Sequence, residues 1–295
     1  MRVLLTGATG FIGSHVTREL LHRGYEVHVS LRPSSDCSRI LDLLDRIRIW
    51  EEPFDQVPMW PDATIHLAWV TTPGKYLESP ENEELLAASR RLIERVPGRA
   101  IFAGTCFEYD TQRGVLAEDS PTRPTTLYAR CKDELRKTVE RRPNSAWVRL
   151  FYQYGPGEHP DRFIPSVIRS LLSEKPVKVS PGAQRRDFLH VRDVAAAIAA
   201  VLESDLQGCV NIGSGRAVEQ RRMVAKLSDL AGRLDLVDFG AVPYFPGEPM
   251  LIEADTTKLG STGWRPKVDL ETGLSETFEW WRAALTRPSE RRILR

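Results

Sequence analysis

Three side chains in this sequence have the types and spacing for proton chemistry. Tyr128 and Lys132 stand four apart in a segment of helical periodicity, so both project from one helix face. A tyrosine with an ordinary pKa of about 10 is a poor base near neutrality. A lysine ammonium beside it favours the phenolate and lowers that value. Thr105 follows the apolar run Ala100–Ala103. That is the carboxyl end of a strand, where a parallel sheet opens toward its ligand. Its hydroxyl suits a hydrogen bond to a substrate oxygen, and the pair suits proton exchange with a carbonyl or an alcohol.

The electron partner for that exchange is indicated at the N-terminus. Val3-Leu4-Leu5-Thr6-Gly7-Ala8-Thr9-Gly10-Phe11-Ile12-Gly13 is an apolar run, a glycine turn and the start of an amphipathic segment. Gly7 permits a tight turn, Gly10 lets the backbone approach a pyrophosphate, and Gly13 lets a helix pack against the strand. The backbone N–H groups of Phe11 and Ile12 then face the anion from the helix N-terminus. Ile12, Val16 and Leu20 line one helical face, and Gly24 stands where the helix should stop. A dinucleotide bound there would exchange a hydride while Tyr128 exchanges the proton, with Lys132 on a ribose hydroxyl.

These residues need a scaffold, and the first half of the chain supplies its pattern. Strand-like runs Val3–Leu5, Val27–Leu31, Ile47–Trp50, Thr64–Ala68, Ala100–Ala103 and Trp147–Leu150 alternate with helix-like runs Ile12–Arg23, Ser38–Leu44, Glu83–Val96 and Leu127–Arg141. The alternation predicts an α/β fold, a Rossmann-type doubly wound parallel sheet. Three prolines between Pro53 and Pro61 predict a loop in place of one crossover helix. After Tyr152 the texture changes to a glycine-proline turn and an irregular polar stretch. Helices then follow at Phe163–Leu172, Val194–Leu202, about Arg222–Ala231 and Leu274–Ala284. Asp193 reads as a helix cap and His190 as a packed or bridging histidine. The expected organisation is a dinucleotide-binding domain of residues 1–151 and 186–215. A smaller interleaved C-terminal substrate domain takes 152–185 and 216–285, and a basic tail covers 286–295.

Composition removes other classes. The chain has 295 residues, 41% hydrophobic, with a net charge of +1 from 41 basic and 40 acidic residues, so no field of one sign is available for nucleic acid or an anionic membrane. No apolar run is long enough to span a bilayer, and no signal peptide is read. Cys37, Cys106, Cys131 and Cys209 are scattered without a CxxC pair, which suits free thiols in the cytoplasm. No metal-ligand spacing is present.

The motifs together resemble an extended short-chain dehydrogenase/reductase of the NAD-dependent epimerase/dehydratase family, whose members mostly act on nucleotide sugars. The matching segments are Thr6–Gly13, His66-Leu67-Ala68, Thr105–Tyr109, Tyr128–Lys132, Tyr154-Gly155-Pro156-Gly157, Arg186–Val191, Asn211–Gly215 and Gly263-Trp264-Arg265-Pro266. The resemblance implies cofactor contacts at Leu67 and Ala68. It places Trp69 where it would shape the substrate pocket, and it gives Arg186 the place of an arginine that commonly contacts the sugar-nucleotide diphosphate. It also implies a homodimer through the helices near Glu83–Val96 and Leu127–Arg141, with Leu85, Leu86, Leu92, Leu135 and Val139 as apolar contacts.

Departures from the family pattern narrow the reaction. Cys106 and Phe107 stand where its 4,6-dehydratases carry an Asp-Glu pair, and neither replaces a carboxyl pair in water elimination. Leu31 stands where an acid usually binds the adenosine ribose of NAD, and Arg32 with Ser34 suits the extra phosphate of NADP. Tyr152 and Phe245 replace two polar phosphate contacts, for which His159 and Arg162 would compensate. The resulting expectation is an NADPH-dependent reductase of a keto-sugar, a nucleoside-diphosphate 4-keto-6-deoxyhexose, with NAD(H) as the alternative cofactor. The rival readings are an NAD-dependent nucleotide-sugar 4-epimerase and a non-catalytic dinucleotide-binding regulatory protein.

Overall fold

The computed structural model describes residues 1–57 and 61–286. The basic tail beyond Thr286, and three residues of the expected proline loop, lie outside the described residues. Seven parallel strands form the main sheet: β1 (Arg2–Thr6), β2 (Glu26–Ser30), β3 (Arg48–Trp50), β4 (Ala63–His66), β5 (Arg99–Thr105), β7 (Ser145–Leu150) and β12 (Gly208–Ile212). Their order is β12-β7-β5-β4-β1-β2-β3. Strand order reverses between β1 and β4, which creates the crevice at the carboxyl edge of the sheet. Both faces of the sheet are covered, so β4, β5 and β7 are buried along their whole length.

One face carries α1 (Phe11–His22) and α5 (Val191–Glu203), packed on each other through Val16, Leu20, Val194 and Ile198. The other carries α2 (Glu81–Arg95) and α3 (Leu127–Glu140), with Leu92, Ile93, Leu135 and Val139 against Phe102 and Trp147. Leu92, Leu135 and Val139 are therefore in the protomer's own core, at 3%, 0% and 0% exposure. They are not available as apolar contacts between two copies, which corrects that expectation. The exposed faces of these helices present Glu84, Arg90, Arg130, Glu134 and Lys137 instead.

A second apolar cluster joins α4 (Phe163–Leu172), α6 (Gln220–Ala231) and α8 (Leu270–Thr286) through Ile164, Ile168, Met223, Leu227, Phe278 and Trp281. Short strands link it to the main sheet. β8 (Tyr152–Tyr154) pairs with β11 (Phe188–His190), and β9 (Val177–Val179) with β14 (Val237–Phe239). The order β13-β10-β15-β6 joins Val218–Glu219, Arg185–Arg186, Leu251–Ala254 and Gly114–Leu116. The remaining α-helix among the described residues, α7, is the single turn Thr257–Gly260.

Two local expectations change. Ser38–Arg46 is a 3-10 helix, and its buried pair Ile40 and Leu43 sits three apart, the period of that helix. Asp193 does not cap α5. His190 holds that position, its Nδ1 accepting from the Arg192 N–H at 3.4 Å. Burial lowers the His190 pKa to about 4 and keeps that nitrogen an acceptor. The Asp193 carboxylate accepts from the N–H groups of Lys267 and Val268, at 3.1 and 2.9 Å, and ties the segment before α8 to the first turn of α5. Among the described residues no helix is long and apolar enough to cross a membrane.

Candidate active site

The glycine turn between β1 and α1 is shaped by contact on one side and space on the other. Gly7 has φ +76°, and a Cβ there would stand 2.8 Å from the Ala68 nitrogen. A Cβ on Gly13 would stand 2.0 Å from the Gly7 carbonyl oxygen. On Gly10 it would meet only that oxygen, at 3.2 Å, and otherwise open space. No side chain caps α1, and no acidic residue stands in its first turn. The N–H groups of Phe11 and Ile12 thus head an uncapped helix, which suits a diphosphate.

A buried hydrogen-bond chain fixes the crevice floor. The Ala68 N–H donates to Thr6 Oγ1 at 3.2 Å, and Thr6 Oγ1 lies 2.7 Å from His66 Nδ1. His66 Nε2 lies 2.9 Å from Ser89 Oγ, whose hydroxyl donates to the Leu85 carbonyl at 2.6 Å. That network requires the Nε2–H tautomer of His66. Burial, with Lys132 adding to it, holds His66 neutral. Leu67 and Ala68 reach the crevice on this chain, directly beside Gly7.

Thr105 ends β5 and starts a 3-10 turn, Cys106–Glu108. Its Oγ1 accepts from the Phe107 N–H at 3.3 Å, and its own N–H donates to Glu108 Oε1 at 2.8 Å, a reciprocal cap. Glu108 is fully buried. It also accepts from Trp147 Nε1 at 3.0 Å and from Arg149 Nε at 2.8 Å. Burial pushes its carboxyl up and the Arg149 guanidinium opposes that. Glu108 and Arg149 were not singled out in the sequence. Their signal was a carboxylate three residues after Thr105, the spacing of a capping box. Cys106 is buried, and burial pushes its thiol up to about 12. Phe107 packs edge-on to Tyr152 at 6.1 Å.

Tyr128 and Lys132 leave one face of α3 toward this turn. Thr126 caps the helix by accepting from the Ala129 N–H at 3.2 Å, and the Tyr128 N–H donates to the Leu77 carbonyl at 2.9 Å. The Tyr128 ring meets the edge of Tyr76 at 4.9 Å. Lys132 Nζ donates to the Ala103 carbonyl at 2.8 Å and lies 3.7 Å from the Trp69 ring centroid. The expected lowering of the Tyr128 pKa by Lys132 is not what the protein alone shows. Burial, then Tyr76, pushes the phenol up, with the Thr105 hydroxyl opposing. Lys132 is itself lowered to about 7 by burial. The phenol is therefore held as a proton donor at neutral pH.

The expected substrate residues are spread over three segments. Arg162 donates to the Thr71 carbonyl at 2.9 Å, and its guanidinium lies 5.1 Å from the Tyr76 ring, one aromatic away from Tyr128. His159 turns onto its own loop, its Nδ1 accepting from the Asp161 N–H at 3.2 Å. Arg186 is 2% exposed, ion-paired with Glu248 and 5.8 Å from the Tyr152 ring. The Trp69 ring faces Lys132, with its Nε1 donating to Asn82 Oδ1 at 2.7 Å. At the far end of the crevice, Leu31 is buried in the core while Arg32 and Ser34 are exposed. Arg39 was not singled out in the sequence. Its Nε donates to the Gly157 carbonyl at 3.0 Å, and Nη1 reaches the Thr9 carbonyl at 3.5 Å, beside the glycine turn.

The family model described as the NAD dependent epimerase/dehydratase family matches residues 3–213. A CDP-abequose synthase from Salmonella muenchen is 25% identical over 93% of this chain and 96% of its own length. The structure of a UDP-glucose 4-epimerase from Thermotoga maritima, with UDP-glucose, superposes with a TM-score of 0.82. It is 25% identical and covers 97% of this chain and 100% of its own. The structure of a dTDP-glucose 4,6-dehydratase from Streptomyces venezuelae, with NAD and TYD bound, gives a TM-score of 0.80. It is 26% identical and covers 96% and 97% of the two chains. The chain belongs to the NAD dependent epimerase/dehydratase family and is an enzyme of the extended short-chain dehydrogenase/reductase type.

Proposed function

We propose that this family member is an NADPH-dependent 4-ketoreductase of a nucleoside-diphosphate 4-keto-6-deoxyhexose. The observation that carries the reading is the turn after Thr105. There a buried, protonated thiol at Cys106 and an aromatic ring at Phe107 stand where water elimination needs two carboxyls, while Tyr128 beside them is held as a proton donor. A bound nicotinamide would supply the hydride. Thr105 orients the carbonyl oxygen, Tyr128 gives it the proton, and Lys132 holds the cofactor ribose. The site assignment follows the same division. Gly7, Gly10, Phe11, Ile12, Gly13, Leu67 and Ala68 serve the dinucleotide; Arg162 and Arg186 serve the anionic end of the substrate.

The preference for NADP(H) is supported by the buried Leu31 at the end of β2, with the exposed Arg32 and Ser34 after it. Replacing Arg32 with Ala should weaken NADPH far more than NADH, by roughly tenfold or more, because a charged contact to the 2′-phosphate is lost. Titrating both cofactors into both proteins checks this, and equal losses would contradict it. Two division points support residues 1–151 and 186–215 as the cofactor domain: β12 returns to the main sheet, and α4, α6 and α8 share a separate core. A homodimer through α2 and α3 and a cytoplasmic location complete the reading, the latter supported by four unpaired cysteines.

The direct test is NADPH oxidation by the purified protein with a nucleoside-diphosphate 4-keto-6-deoxyhexose, the reduced sugar being identified by mass. The likeness to a 4-epimerase structure favours a second reading, NAD-dependent epimerisation. Protein carrying NAD through purification and interconverting 4-epimers without added cofactor would establish that reading instead. Cofactor binding without turnover of any keto-sugar would leave a regulatory dinucleotide sensor.

A further inference from the structure

The segment between β4 and α2 places an indole against the ammonium of Lys132. Lys132 Nζ lies 3.7 Å from the Trp69 ring centroid, well inside cation–π range, and only 5.9 Å from the ring of Trp147. The indole is not loosely placed. Trp69 Nε1 donates to Asn82 Oδ1 at 2.7 Å, and the fully buried Asn82 donates in turn to the carbonyls of Tyr76 and Ser79 at 2.7 and 2.8 Å. Phe54 and Leu86, with Trp69, pack on the core beneath α2. The asparagine thus clamps the indole from one side while the lysine meets its face.

We propose that Trp69 is a positioning residue whose ring face holds the Lys132 ammonium, charged and aimed into the crevice, for the cofactor ribose. An ammonium has three N–H donors. The Ala103 carbonyl takes one at 2.8 Å. The indole attracts the cation without a lone pair, so donors stay available to ribose hydroxyls. The need for such a seat is clear from burial, which lowers Lys132 to about 7. The ionisable groups around it are Glu108 from the turn after β5, which favours the charge, and His66 at the end of β4, held neutral. Cys131 and Tyr128 share its helix, and neither carries charge at neutral pH because burial raises both. Glu108 is itself committed to Arg149, Trp147 and the Thr105 N–H. The indole therefore supplies attraction that no uncommitted carboxylate provides.

This inference rests on the reading of Lys132 as a ribose-binding group, and its deciding measurement, a titration of the protein alone, needs neither cofactor nor turnover. Protein labelled with ¹³C at the lysine ε-carbon is titrated by NMR, with the Lys132 signal assigned by Lys132→Arg. Trp69→Leu keeps the surroundings apolar but removes the ring face, so the Lys132 midpoint should fall by about 0.5–1.5 pH units. Trp69→Phe keeps a ring face and should restore most of that fall. Tetrafluorotryptophan placed at position 69 keeps the shape and weakens the face, so it should reproduce the fall even where the leucine variant does not fold. NADPH binding should weaken about 2- to 30-fold in step with the midpoint. An unmoved or raised midpoint in Trp69→Leu, or an equal fall in Trp69→Phe, would overturn the proposal. Failure of the native protein to reduce keto-sugars would sink the functional reading and leave this titration unaffected.

Discussion

Residue by residue, this site is governed by burial more than by charge. Tyr128, Lys132, Glu108 and Cys106 are each moved first by loss of water, and neighbouring charges come second. That is why the spacing of Tyr128 and Lys132 was legible in the sequence while their protonation was not. Four-residue spacing fixes a shared helix face, but burial depends on Tyr76 and Trp69, which arrive from the loop between β4 and α2, far earlier in the chain. Glu108 and Arg149 show the stakes of burial, at 0% and 1% side-chain exposure. Replacing Arg149 with Met should leave the buried Glu108 without its counter-charge. Breaking such a pair costs about 3–5 kcal/mol, and urea unfolding should show a loss in that range. A loss under about 1 kcal/mol would mean that the turn after Thr105 is held by its hydrogen bonds without the ion pair.

The elements that carry the site differ in how visible they were. Most strands of the main sheet carry short apolar runs, and the helices over them keep a 3.6-residue stripe, so their alternation was legible. β10 and β13 are two residues long and β6 and β15 three and four. No periodicity exists over such lengths; they exist because distant segments meet, as Arg185 meets Leu251. The loop after β8 is the element that joins cofactor and substrate sides. His15 Nε2 holds the Pro156 carbonyl at 3.2 Å, Arg39 holds Gly157, and Arg162 reaches Tyr76. Within it Glu158 is buried, its Oε2 has no hydrogen-bond partner among the described residues, and burial raises it from 4.5 to about 8. Between those two values only the unfolded chain releases the proton, so the native protein loses stability as pH rises through that window. Glu158→Gln should remove this slope, melting near the native temperature at pH 5 and above it at pH 8. Parallel melting curves across that range would contradict the burial argument.

At the scale of the whole molecule, apolar clusters cover both faces of the main sheet, a separate one joins α4, α6 and α8, and Thr105 stands at the end of β5 on the sheet's carboxyl edge. The proposed dimer through α2 and α3 would rely largely on polar surface, since Leu92, Leu135 and Val139 are spent inside the protomer and Leu85 and Leu86 are half-buried. Arg90 and Glu134 already bridge the two helices at 3.6 Å. Exposed charges are screened by salt, so light scattering should give twice the 33.4 kDa chain mass at low ionic strength and a lower mass near 1 M salt. A monomer at low salt would contradict the pairing. The family was legible because its motifs run in order along nearly the whole chain. The expected reaction was narrowed by single positions, among them Cys106, Phe107, Leu31, Arg32, Tyr152 and Phe245, which composition and periodicity do not weigh. The central claim is that Tyr128 donates the proton in a keto-sugar reduction. Single-turnover NADPH oxidation by Tyr128→Phe, beside the native enzyme, tests it most directly. The ring and its contact with Tyr76 remain and only the hydroxyl goes. NADPH should still bind while the rate falls about 10²–10⁴-fold or more. A near-native single-turnover rate in Tyr128→Phe would contradict the account.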